Sequence, residues 1–251
     1  MQKLILLKVT GIIIMVIYSC GSINNKPTKE KNQLRAIRVT QNFPYVNNQG
    51  NLLRYDSSSV NIYYFGDQVM YSDFYQWDNH VQGTLVKTEI FQNFFVFEKG
   101  KRHGFFYDKH KSEFDKKILV DSMLQNQWYN QTGYLFEIEK LQLVHYNTDS
   151  GILSKKYDTK GTRDTTMKGS AFLQFSNKLT WTDYSLAKIF DTITGMKLCR
   201  INTTTNSRYL KDHNITLDTI TQIFYMEEIT INNEKEILYY FDREKKFNKK
   251  D

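Results

Sequence analysis

Residues 59–76 constrain the fold more than any other stretch of this chain. In residues 59–65, Val60, Ile62 and Tyr64 fall on one face with a period of two. Gly66-Asp67 follows. In residues 68–76, Val69, Tyr71 and Tyr75 then alternate against Met70, Ser72 and Phe74. Successive strand side chains point to opposite faces, so two alternating runs joined by a glycine-led pair predict a β-hairpin with a tight turn. The pattern recurs: Ile37-Arg38-Val39-Thr40 reads as a first strand, and Val86, Thr88 and Ile90 as another. Residues 94–97 form a further strand, which turns through Lys99-Gly100-Lys101 into Gly104-Phe105-Phe106-Tyr107. Residues 34–108 are therefore expected to form an antiparallel meander. The 17 Tyr and 17 Phe favour strands over helices.

Further on, Ala171-Phe172-Leu173-Gln174-Phe175 and residues 196–201, 222–231 and 237–241 read as strands. Residues 134–146 are ambiguous, with Leu141, Leu143 and His145 favouring a strand. Two helices interrupt them. Asp121 can cap a short one reaching Gln127, with Met123 and Leu124 inward. In residues 185–193, Leu186, Ile189, Phe190 and Ile193 follow helical spacing; Asp183 or Ser185 supplies the N-cap and Gly195 the left-handed C-cap. Residues 147–170 are polar and turn-rich, a hinge or a long loop. One continuous sheet is favoured, because both sides of that stretch have the same strand character. The expected fold is mostly β: a curved, half-barrel-like antiparallel sheet with one or two packed helices. Adjacent aromatics such as Tyr63-Tyr64 and Phe94-Phe95 must face opposite ways. Burial on both faces of the sheet is the preferred reading, over Tyr75 and Trp77 stacking on sugar rings.

The N-terminus carries an address. Lys3 and Lys8 precede an apolar run, residues 9–18, which ends at Ser19-Cys20-Gly21. A basic start, about ten apolar residues and a small residue before a cut site describe a secretory signal peptide; a membrane span needs roughly 20 apolar residues. Ile17-Tyr18-Ser19-Cys20 resembles the lipobox of bacterial lipoproteins. The resemblance implies cleavage before Cys20, acylation of its thiol and new amine, and residence on a lipid bilayer through that residue. The expected organisation is a signal peptide at 1–19, lipidated Cys20 with a flexible tether at 20–33, one β-rich domain at 34–242 and a basic tail at 243–251. Gly21, and the lack of an acidic cluster in residues 22–25, point to an outer membrane, with the body facing the periplasm.

The formal charge is +7 for the whole chain, and the signal removes Lys3 and Lys8. The densest basic cluster lies in the tail, around Arg243, Lys245, Lys246, Lys249 and Lys250, and is read as a solvated, frayed end. Nucleic acid is not an expected partner of an exported chain. Only two cysteines occur. With Cys20 lipidated, Cys199 has no disulfide partner and reads as a small core residue, not a nucleophile.

Motifs that carry a recognisable chemistry are mostly missing from the sequence. There is no glycine-rich phosphate loop, no Gly-x-Ser-x-Gly elbow and no His-Glu-x-x-His helix. His80, His103, His110, His145 and His213 share no metal-ligand spacing. Asp78-Asn79-His80 reads as a polar turn. No catalytic residue, metal ligand or cofactor is assigned; Cys20 is the one site residue. Residues 95–107, with their Lys-Gly-Lys turn before Gly-Phe-Phe-Tyr-Asp, and Leu119-Val120-Asp121-Ser122 resemble exported proteins of the GLPGLI type. That resemblance implies a curved antiparallel sheet related to the lipoprotein-carrier half-barrel and brings no catalytic residue. The functional expectation is a non-enzymatic envelope lipoprotein that binds a lipid, a glycan or a protein. The alternatives are a tethered hydrolase and a protective lipoprotein that blocks a toxin or inhibitor.

Overall fold

A computed structural model describes residues 33–81, 84–108, 116–125, 127, 129, 141–160, 168–211 and 214–248. The signal peptide, Cys20 and nearly all of the tether lie outside the described residues. So do His110, His213 and residues 134–140, together with the side chains of Tyr75, Trp77, Asp78 and His80.

The predicted hairpins form. Strands β1 (Arg35–Val46), β2 (Leu52–Phe65), β3 (Gln68–Val81), β4 (Thr84–Glu98), β5 (His103–Asp108) and β6 (Lys116–Leu119) run as an antiparallel meander. Helix α1 (Val120–Gln125) follows β6 directly. The second half contains β7 (Leu141–Asp149), β8 (Ile152–Lys160), β9 (Lys168–Ser176), helix α2 (Lys188–Thr194), β10 (Lys197–Thr205) and a small hairpin of β11 (Arg208–Leu210) and β12 (Ile215–Leu217). It ends with β13 (Ile220–Glu228) and helix α3 (Glu234–Asn248). The main sheet has eleven strands in the order β6-β5-β4-β3-β2-β1-β13-β10-β9-β8-β7 and does not close into a barrel. It is one continuous half-barrel-like sheet, as expected, made of two meanders joined where β1 pairs with β13. Arg35 staples that seam: its guanidinium donates to Glu228 at 2.9 Å and lies 3.8 Å from the centre of the Trp181 ring.

Both faces of the first meander carry a core. On one, Ile37, Val39, Ile62, Tyr64, Tyr71, Phe95, Leu173, Phe175 and Ile201 pack with Phe190 of α2 and with Met123 and Leu124 of α1. On the other, Tyr63, Met70, Phe94, Val96, Phe105 and Tyr107 pack against Ile237, Tyr240 and Phe241 of α3. The neighbours Tyr63/Tyr64 and Phe94/Phe95 thus divide between two cores. Phe94 stacks on Tyr240 with ring centres 4.4 Å apart.

Four local expectations are corrected. Residues 84–98 are one strand, not two. Residues 147–170 are mostly strand: Ser150 and Gly151, both with positive φ, make the tight β7–β8 turn, so there is no hinge and no long loop before Lys160. Residues 237–241 are helix, and α3 runs on to Asn248 through most of the supposed tail, with Glu244 fully buried. Gln68 explains that burial, since its amide donates to the Glu244 carboxylate and to the Phe241 carbonyl, each at 2.8 Å. Finally, α2 is shorter than expected. Ala187 occupies the N-cap without a side-chain hydrogen bond, although Gly195 does close the helix at φ 66°. Of the four residues of the expected face, Leu186 and Phe190 are buried, while Ile189 and Ile193 are 54% and 64% exposed. Asp191 sets this orientation. Its carboxylate accepts from the Leu198 backbone N–H at 2.7 Å and lies 3.2 Å from Lys197 Nζ, which turns the Asp191 side toward β10 and the isoleucines outward.

Candidate functional site

A cavity of about 220 Å³ opens between α1 and the sheet. Strand periodicity builds its floor. Tyr71 and Asp73 lie two apart on β3, so they share a face. Opposite them on β4 stand Phe95 and Asn93, in the pairs Tyr71↔Phe95 and Asp73↔Asn93. Phe106 of β5 pairs with Phe95 and extends the floor by one strand. Met123 of α1, Gln127 and Tyr129 form the roof. Gly104 makes room for this arrangement: a Cβ there would come within 2.6 Å of the Phe95 ring.

Tyr129 is held from two sides. Its ring stacks on Tyr71 with centres 5.4 Å apart, and its carbonyl accepts a short hydrogen bond from the Tyr184 hydroxyl. The Tyr64 hydroxyl accepts from Thr182 Oγ1 at 2.8 Å, a second tie from the sheet to the loop that carries Tyr184. The loop between β9 and α2 is thereby tied to the aromatic side of the cavity.

Asp73 is the one charged side chain among the lining residues. Burial pushes its carboxyl up from 3.8 to about 6, and the Phe74 backbone N–H offsets only part of that cost. The Asp73 charge in turn adds to the burial that raises the Tyr129 phenol. A raised acid binds its proton more tightly when folded. The folded state is therefore favoured below the unfolded value near 4, and that advantage is lost as pH rises through 6. Asp73→Asn should then stabilise the chain by about 1–2 kcal/mol near pH 8; one unit corresponds to about 1.4 kcal/mol, and solvent access removes part of it. The gain should shrink to nothing near pH 4. Urea unfolding of both forms across this range checks it, and a pH-independent difference would contradict the assignment.

The residues singled out in the sequence are not brought together here. His103 and His145 lie on β5 and β7, away from the cavity. Cys199 is half-buried; its thiol donates to the Gln174 carbonyl at 3.3 Å, and burial pushes its pKa up, which suppresses the thiolate. Among the described residues, no three His, Cys, Asp or Glu side chains cluster as metal ligands. No described helix is long and apolar enough to cross a membrane. No family model matches the chain, and no curated protein matches it either. The cavity residues escaped the sequence reading, yet a signal was present. Asp73 falls between Tyr71 and Tyr75 on the parity of β3 that carries apolar and aromatic groups, where a carboxylate is out of place.

Proposed function

We propose that the chain is a membrane-anchored envelope lipoprotein whose body is a non-enzymatic binding protein, with its ligand in the cavity under α1. The cavity carries the binding part of this reading. Apolar and aromatic walls with a few convergent polar groups and a perturbed acid are the usual constitution of a small-molecule site. The anchoring part rests on Lys3, Lys8, the short apolar run and Ile17-Tyr18-Ser19-Cys20. It places the body outside the cytoplasm, facing the periplasm from an outer membrane. The stretches that resemble GLPGLI-type proteins fall on β4–β5 and at the start of α1, the elements that wall the cavity.

The ligand is small. At about 220 Å³ the cavity is below the roughly 300 Å³ at which drug-sized pockets begin. It does not touch α2, beside which an acyl groove would have supported lipid carriage. A tethered hydrolase is the second reading, favoured by one observation: an acid titrating near 6 can exchange a proton at neutral pH.

Met123→Trp should fill the cavity while keeping the fold. Wild-type chain extracted in mild detergent should carry a stoichiometric small molecule by native mass spectrometry, and Met123→Trp should not. A wild-type chain without adduct, whose thermal midpoint responds to no member of a small-molecule collection, would refute the binding reading.

A further inference from the structure

We infer that the cavity under α1 takes a small primary amine as its ammonium ion, with Asp73 as counter-ion and Phe95, Phe106 and Met123 around the alkyl part. The inference rests on the binding reading above and names the ligand class.

Three observations carry it. First, Asp73 has no ion-pair partner among the described residues, although it is partly buried in the cavity wall. A carboxylate removed from water is costly unless it is paired, and no described residue supplies a cation to it. Lys116, on the strand beside Phe106, points its Nζ over the Phe106 ring, 5.5 Å from the ring centre, and makes no ion pair with Asp73. Burial is accordingly the main cause that raises the Asp73 carboxyl, with no cation among the described residues holding it down. An arriving ammonium would supply the missing charge.

Second, the polar groups fit a primary ammonium. It has three N–H donors and no acceptor, as a lysine ammonium has. Asp73 offers carboxylate oxygens. Asn93, directly across from it, and Gln127 on the roof each carry an amide oxygen that can accept. An anion would meet Asp73 with like charge. A neutral ligand would leave that carboxylate unneutralised.

Third, the remaining walls are aromatic and thioether: Phe95, Phe106 and Met123, with the Tyr71–Tyr129 stack beside them. Such walls accept methylene groups, and aromatic faces attract cations. Phe106 already shows this toward Lys116. Size limits the guest. A cavity of 150 Å³ holds benzene, so about 220 Å³ suits an amine of roughly five to nine heavy atoms.

The experiment uses the purified full-length chain in detergent near pH 7.5, titrated with n-pentylammonium and with its neutral counterpart n-pentanol, by calorimetry or ligand-observed NMR. Wild-type chain should bind the ammonium at least tenfold more tightly than the alcohol. Asp73→Asn should lose at least tenfold toward the ammonium and leave the alcohol nearly unchanged. Met123→Trp should abolish both, which assigns the binding to this cavity and covers the case in which the Asp73 variant folds poorly. If the alcohol binds wild type as tightly as the ammonium, or if Asp73→Asn binds the ammonium undiminished, the cation inference falls while the binding reading stands. If neither probe binds, and no other small molecule shifts the thermal midpoint, both fall.

Discussion

Phe241→Ala should destabilise the protein by about 3–5 kcal/mol, the usual cost of emptying a buried aromatic site. Phe241 is fully buried and stacks on Phe65 with ring centres 6.2 Å apart. Its neighbours on α3, Ile237 and Tyr240, close the same face of the sheet over Phe94 and Tyr107. Without the ring, α3 has a hole at its centre, and Gln68 loses the close packing that aligns it with Glu244 and the Phe241 carbonyl. For a chain of this size the thermal midpoint should fall by about 6–20 °C. Ile193→Ala on α2 is the control: that side chain is mostly in water, and the change should stay within about 0.5 kcal/mol. A loss under about 1 kcal/mol for Phe241→Ala in urea would mean that α3 is not part of the core.

The second large effect concerns location. Cys20→Ala should leave an uncut or unlipidated precursor, distinguished from wild type by intact mass and detergent partitioning. The substituted chain should also carry no acyl mass. The size of the effect follows from additivity along the acyl chains: each buried methylene contributes about 0.8 kcal/mol, and two chains already make a stable anchor. The body offers no described helix that could substitute for them. Wild-type chain found in the aqueous phase, without acyl mass, would remove the anchoring proposal and leave the cavity reading untouched.

Period-two alternation made the first meander legible, because a strand with two buried faces still separates its side chains by parity. Hence Val60, Ile62 and Tyr64 sort to one core and Tyr63 to the other. The same rule misled at residues 237–241. Ile-Leu-Tyr-Tyr-Phe has strand composition, but Ile237, Tyr240, Phe241, Glu244 and Phe247 repeat at helical spacing. Glu244 hid the stripe, since a carboxylate at an inward position reads as the start of a solvated tail. Only tertiary structure reveals the Gln68 amide waiting for it. The opposite error occurred at α2. Four apolar residues at helical spacing suggested a wide buried face, yet Leu186 lies before the helix begins, and Asp191 binds the backbone of β10. The cavity depends on Tyr71, Asn93, Phe106 and Tyr129, which are brought together by register and by the segment that follows α1. No local pattern joins residues so far apart, although the misplaced charge of Asp73 marked one of them.

The junction of β1 with β13 orders the way this protein can mature. Every other pairing in the sheet joins strands close in the chain, whereas Arg35 and Glu228 are 193 positions apart. Hairpins of local origin close quickly, and a ladder between distant segments must wait for the loop between them to be brought in. A chain threaded through a membrane from its N-terminus would thus present β1 with one edge bare until almost the last residue had emerged. During that interval the bare edge, carrying Ile37 and Val39 beside it, is a ready template for a neighbouring chain. On any route by which the chain emerges N-terminus first, shielding β1 until β13 arrives would protect that edge.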